Sequence, residues 1–323
     1  MASRRNIPSF VYKLMLVAAT VIWGFAFVVM KDSVDVLPPA QLIGVRFTLT
    51  ALLMAAVFHR HLRGTLNREC LKAGLVLGLV TFLAFWVQTI GLTDTTAGKN
   101  AFLTATYCVI VPFMMWALVR KRPSVANVAA ALLCIVGIGC VSLSAETLSV
   151  GFGDAMTLLC AFFFAAQIIA ISRFSKRHDV LALTVYQFLF GGLMGLAVGL
   201  ASEPLPDLAA VADPGFLLNL AYLVVLASAV CYVLQNVGLA HVPPAQGSLL
   251  LCLESVFGVV ASVMLQGEQL TARMVLGFAL IFAAVVLSEL GPQLAAKLHR
   301  PGASQTPGLE SAPDEDAEAP TAA

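Results

Sequence analysis

Ten stretches of about 20 mainly apolar residues dominate this chain, the length a helix needs to cross a bilayer. They lie near 13–32, 39–58, 72–92, 99–119, 124–143, 152–173, 180–200, 216–238, 245–265 and 271–290. Backbone polar groups in lipid find no water, so each stretch must satisfy them internally as a helix. The short alternating segments of an outer-membrane barrel are absent. The expected fold is all-α and integral to the membrane, with ten transmembrane helices. Composition agrees. The chain is 59% hydrophobic and 11% charged, with mean hydropathy +0.91, where a soluble domain carries about 25% charged residues.

The basic start "MASRRN" resembles the head of a secretory signal, but the apolar run after it is too long for one and further runs follow. It is read as an uncleaved first helix behind a short cytoplasmic N-terminus, 1–12. From Gly291 the composition turns to Pro, Ala, Ser and acids. Such a segment builds no core, and 291–323 is read as a disordered cytoplasmic tail.

Loop charge sets the orientation. Cytoplasmic loops are enriched in Lys and Arg. Arg4, Arg5 and Lys13, then Arg60, Arg63, Arg68 and Lys72, then Arg120, Lys121 and Arg122, then Arg173, Lys176 and Arg177, and finally Lys297 and Arg300 all fall on one side if there are ten spans. The other side carries Asp32, Asp35, Asp94, Glu146, Asp154, Glu203, Asp207, Asp213 and Glu268. Both termini are therefore expected in the cytoplasm, and the protein in the cytoplasmic (inner or plasma) membrane.

The chain also repeats itself. "WVQTIGLTDTTAGKNAFL" (86–103) and "VLQNVGLAHVPPAQGSLL" (233–250) align without a gap at an offset of 147 residues, so Gln88 meets Gln235, Gly91 meets Gly238 and Leu103 meets Leu250. The two copies are read as 13–143 (helices 1–5) and 151–290 (helices 6–10). Five is odd, so the second copy enters the membrane upside down. Consistent with this, Lys121 aligns with Glu268. Inverted-topology repeats are a signature of secondary transporters.

Polar side chains at membrane depth mark cavities or helix contacts. In the fourth helix Asn100, Thr104 and Tyr107 share a face. In the third, Thr81, Ala84, Phe85, Gln88 and Gly91 do so, and in the eighth Ser228, Cys231, Tyr232, Gln235 and Gly238. Each glutamine lines a cavity or merely bonds a neighbouring helix for about 1 kcal/mol. The substrate-binding candidates are Gln88, Asn100, Tyr107, Gln167, Tyr186, Gln187, Tyr232, Gln235 and Glu254, with Trp86, Phe163 and Phe164 as apolar wall. Two full charges, Arg46 and Glu254, lie on the order of 12–15 Å along their helices, near the midplane, where a charge costs roughly 3 kcal/mol or more. Three readings stay open: a structural ion pair, Glu254 as a proton-coupling or ammonium site, or Arg46 snorkelling to the outer surface. Gly191, Gly195 and Gly199 form a small-residue ladder, read as close helix packing or a dimer seam, which leaves a homodimer open.

The seven cysteines are unclustered and the five histidines lie in loops, so no metal site is expected. No cofactor is expected. The P-loop pattern is missing. Partners are a small-molecule substrate and membrane lipid, not nucleic acid.

These features together resemble the drug/metabolite transporter superfamily, and within it the bacterial family with two EamA-type repeats. The matching stretches are "IWGFAFVVMK", "VRF", "QTIGLTDTTAGKNAFLTATY", "VPF", "RKRPS", "LLLCLESVFGVVASVMLQGEQL" and "VLGFALIFAAVVLSE". The resemblance implies ten helices, cytoplasmic termini, a central cavity lined mainly by helices 1, 3, 4, 6, 8 and 9, and export or exchange of amino acids, related metabolites, nucleosides or drugs. Lys121 departs from the pattern, since such proteins often carry Glu there. The function expected is therefore a secondary transporter that exports a small metabolite by alternating access. An uncoupled exchanger, a uniporter or a channel is the alternative. A membrane enzyme is disfavoured, because the chain lacks an ordered set of acids, bases and nucleophile.

Overall fold

The computed structural model describes residues 8–62, 64–65, 67–120, 122–142 and 150–298. Arg4, Arg5, Arg63, Lys121, Glu146, Arg300 and the tail from 299 lie outside them. Ten long helices follow one another, here α1 (Ser9–Val34), α2 (Pro39–Val57), α3 (Arg68–Thr93), α4 (Ala97–Thr104 and Tyr107–Val119), α5 (Val125–Ser142), α6 (Phe152–Phe174), α7 (Val180–Ser202), α8 (Pro214–His241), α9 (Pro244–Leu251 and Leu253–Gln266) and α10 (Ala272–Leu298). Single turns at His59–Leu62 and Leu208–Val211 stand between them. Among the described residues, eight of the helices are long and apolar enough to cross a membrane, while α5 and α10 contribute shorter apolar stretches, Val125–Val141 and Ala272–Leu287. The chain is a multi-pass membrane protein.

The helix starts follow from local chemistry. Asn67, Thr96, Asp179 and Asp213 accept hydrogen bonds from backbone N–H groups of the first turns of α3, α4, α7 and α8. Prolines open α2, α8 and α9, where the missing N–H would lack an intrahelical partner anyway.

Helix α2 packs on α7, α4 on α9 and α5 on α10. In addition α3 packs on α6 and α7, α8 on α1 and α2, α1 on α9, and α4 on α6. Moving every helix five places along the chain turns this set of contacts into itself. The same correspondence reaches the backbone. Helix α4 is interrupted at Ala105–Thr106 and α9 at Cys252. Each then ends on a residue in the left-handed conformation, Arg120 with φ 60° and Gly267 with φ 66°. Glycine takes that conformation without penalty and arginine does not.

The glycine ladder of α7 is spent inside the chain. A Cβ at Gly195 would stand 2.7 Å from Gly44 Cα, and one at Gly199 would stand 2.6 Å from Gln41 Cγ. Of the two readings of these glycines, close helix packing is the one this structure holds: the ladder is what lets α2 and α7 approach.

One end of the bundle is tied together by charge. Lys31 donates to the Leu92 and Thr95 carbonyls at the end of α3, at 2.6 and 3.1 Å. Asp94 accepts from the Gly153 N–H at 3.0 Å. Asp154 pairs with Lys99 at 2.7 Å and accepts from Thr95 at 2.6 Å. Glu268 accepts from Thr96 Oγ1 at 2.5 Å, the Gly98 N–H at 3.1 Å and Ser262 Oγ.

Candidate functional site

A cavity lies amid the helices. Its wall comes from α1 (Trp23, Phe27, Met30), α3 (Phe85, Gln88, Thr89), α4 (Thr104, Tyr107), α6 (Phe164, Gln167), α8 (Tyr232, Gln235) and α9 (Leu251, Glu254), with Arg46 entering from α2. About 50 Å³ is open to the centre of a water molecule, room for a few waters.

Its geometry follows from irregularities in the helices. The interruption at Ala105–Thr106 turns Tyr107 into the first residue of a new helical piece, and that at Cys252 puts Glu254 in the first turn of another. Tyr107 and Glu254 are separated by the repeat offset of 147 residues, and the Tyr107 hydroxyl donates to Glu254 Oε1 at 3.1 Å. Two equivalent positions of the duplicated sequence thus meet each other. In α8, Leu223–Val230 widens into a π-helix, a feature common at functional sites. Carbonyls of that stretch take side-chain donors: Ala227 accepts from Trp23 Nε1 at 2.7 Å and Arg46 Nη2 at 3.4 Å, and Val224 accepts from Thr50 at 3.3 Å.

Six of the nine binding candidates line the cavity: Gln88, Tyr107, Gln167, Tyr232, Gln235 and Glu254. Gln88 donates to Thr104 Oγ1 at 2.9 Å, and Gln235 donates to Gln167 Oε1 at 3.0 Å. The other three point elsewhere. Asn100 donates to Thr157 at 2.8 Å, between α4 and α6. Gln187 bonds Thr81 at 2.8 Å and Asn236 at 3.2 Å, in a polar cluster of α3, α7 and α8. Tyr186 packs over Gly74. Of the expected apolar wall only Phe164 belongs to the cavity, for Trp86 stacks on Phe82 at 5.4 Å. The wall was instead built from residues the helical faces did not single out, notably Phe27, Met30, Thr89 and Leu92.

Arg46 and Glu254 both face the cavity, yet no ion pair joins them among the described residues. Arg46 is 1% exposed. Its Nε donates to Ser228 Oγ at 2.7 Å, its Nη1 reaches the Met30 sulfur at 3.3 Å, and its guanidinium carbon lies 4.9 Å from the centre of the Phe85 ring. Neither the ion-pair nor the snorkelling arrangement is present in this structure.

Against this geometry the comparisons with known proteins are specific. The EamA-like transporter family matches residues 11–143 and again 151–290. The chain belongs to the EamA-like transporter family. An uncharacterized transporter of Archaeoglobus fulgidus is 30% identical over 283 residues, 86% of this chain and 85% of that protein. A probable amino-acid metabolite efflux pump of Salmonella typhimurium is 26% identical over 284 residues, covering 84% and 92%. Among solved structures, one crystal structure superposes with a TM-score of 0.66 at 16% identity, covering 89% of this chain and 98% of its own. That likeness concerns the fold alone. For this EamA-family transporter the cavity is then the natural place to look for substrate.

Proposed function

We propose that this EamA-family protein is a secondary transporter of the cytoplasmic membrane that exports a small metabolite, of the amino-acid or a related class, by alternating access. The observation that carries the reading is the cavity, set deep in the bundle and walled by helices from both matched stretches. The amino-acid class is supported by the name of the Salmonella typhimurium relative and by a wall of mixed polar and aromatic groups.

The ten helices are read as ten spans forming two five-helix repeats of opposite topology. The self-mapping helix contacts, the paired interruptions and the paired left-handed caps support this. The basic loops place the termini in the cytoplasm. The end tied by Lys31, Asp94, Lys99, Asp154 and Glu268 is then external, and those bonds would hold the two halves together on that side. Rocking one repeat against the other would exchange the side held together. Glu254, the acid on the cavity wall, is the proposed proton carrier, since intramembrane acids facing cavities serve proton relays.

The test is flux. In proteoliposomes of purified protein, labelled amino acids and nucleosides should show saturable uptake with at least one compound. Gln88→Leu and Gln235→Leu should each cut it about tenfold, the loss of one hydrogen bond to a polar solute in a buried site. Absence of flux for every compound, or flux indifferent to both variants, would overturn the reading.

A further inference from the structure

Arg46 is a buried cation that shares the cavity wall with Glu254 but does not pair with it. It lies in the middle of α2, 1% exposed, and no carboxylate pairs with it among the described residues. A guanidinium has five N–H donors in a planar fork. Only the Nε bond to Ser228 is short, at 2.7 Å. The Nη1 partner is a thioether sulfur, and the Nη2 partner is a carbonyl at 3.4 Å. Nε is the back of the fork, so the strong bond anchors the group, and the two outer nitrogens hold the weak bonds. These are the nitrogens that grip a carboxylate in bidentate pairing. The rings of Phe85 and Phe47, at 4.9 and 5.7 Å, fix the plane of the group.

A second group of the same cavity points the same way. Gln167 is fully buried, its oxygen accepts from Gln235, and its Nε2 has no partner. A buried site that holds an unpaired cation and an unspent amide donor suits an acceptor that carries negative charge, because each group costs free energy while unpaired. Trp23, Phe85, Phe164 and Tyr232 supply aromatic wall for an apolar remainder, with Trp23 edge-on to Tyr232 at 5.5 Å and Phe85 edge-on to Phe164 at 5.1 Å.

We infer that Arg46 is the anion-recognition residue of the cavity, and that the transported solute carries a carboxylate, seated on the outer nitrogens of Arg46 within the donor field of Gln167, with an apolar body against the aromatic wall. The inference rests on the reading of the cavity as the substrate site, and it narrows that reading to solutes with an acid group.

The probes are pairs of equal shape that differ only in the acid: phenylalanine and phenylalaninamide, leucine and leucinamide, 3-phenylpropionate and 3-phenylpropanamide. Binding to the full-length protein in detergent is read by thermal shift, and uptake by counterflow in proteoliposomes. At least one acid should bind wild type, and its amide should bind about tenfold more weakly or worse, as expected for a lost charge-assisted pair. Arg46→Gln should abolish the preference for acid over amide, and Arg46→Lys should restore part of it. The wild-type pairs alone decide the matter if both variants misfold. If acids and amides bind alike, or if Arg46→Gln keeps the preference, Arg46 is structural and the inference falls while the cavity stands. If the amides or uncharged nucleosides are transported in a Gln88- and Gln235-dependent way and the acids are not, the inference falls alone. If no compound binds or moves, both it and the transport reading fall.

Discussion

Helices α4 and α9 occupy equivalent places in the two matched stretches, and their differences show what duplication preserved and what it let go. Their backbones agree. Both are interrupted near the middle, at Ala105–Thr106 and Cys252, and both end in a left-handed residue. Their side chains do not. Helix α4 begins on Thr96, whose side chain caps it, with Glu268 bonded to the same turn. Helix α9 begins on Pro243 and Pro244 with no side-chain cap. At the interruption one carries Tyr107 and the other Glu254, and at the end one carries Arg120 and the other Gly267. Backbone shape sets how the helices cross, and it is what the two helices share. The side chains at the cavity differ, and a tyrosine facing the one acid avoids the repulsion two equivalent acids would have.

The comparison breaks most severely at the crossing itself. A Cβ at Gly258 would stand 2.5 Å from Ala101 Cβ, so Gly258→Leu should drive α4 and α9 apart and abolish monodisperse protein on size exclusion. Monodisperse protein at wild-type yield would show that the two helices can separate freely.

Next comes the Tyr107–Glu254 contact. Glu254→Tyr leaves two phenols and should lower flux more than tenfold, the scale of a buried charge-assisted hydrogen bond. If the contact lies on the axis relating the two halves, the exchanged variant Tyr107→Glu/Glu254→Tyr rebuilds it and should recover much of the loss. An exchanged variant no better than the sum of its single changes would place the contact off that axis.

Smaller is the tie at the charged end of the bundle. Glu268→Ala removes the acceptor for Gly98 N–H and Thr96 and should cost about 1–2 kcal/mol there. Hydrogen exchange should quicken at residues 97–100 and stay unchanged at 244–247, the uncapped counterpart. Equal change at both starts would mean that Glu268 acts globally rather than on α4.

The smallest effect belongs to the helix end. Arg120→Gly relieves a left-handed arginine and should stabilise the protein by about 1 kcal/mol, seen as a slight rise in melting temperature. Gly267→Arg should lower it by a similar amount.

Much of the fold was legible in the sequence because one rule governs it: a backbone in lipid must be helical, and helices of bilayer length announce themselves. The repeat was legible because Gln88 and Gln235 keep their surroundings over 147 residues. The site was half legible. Periodicity shows which residues share a helical face, not which neighbour that face meets. Gln88 and Asn100 looked alike in the sequence, and only packing sends one to the cavity and the other between α4 and α6. The depth of Arg46 was visible, but its anchor on Ser228 depends on α2 meeting α8. Phe85 shares the Gln88 face and so could be found, but Phe27 is one of 20 phenylalanines, and nothing in its spacing distinguishes a cavity wall from a lipid face. The π-helical turn of α8 has no signal in "LVVLASAV".

The most direct test of the account is flux of a labelled solute into proteoliposomes with and without an imposed pH gradient, wild type beside Glu254→Gln. Glutamine keeps an oxygen for Tyr107 and removes the titrating acid. The account predicts wild-type transport that responds to the gradient, and a variant that still exchanges solute but no longer responds. Wild-type liposomes that carry nothing, or a variant that follows the gradient as wild type does, would contradict it.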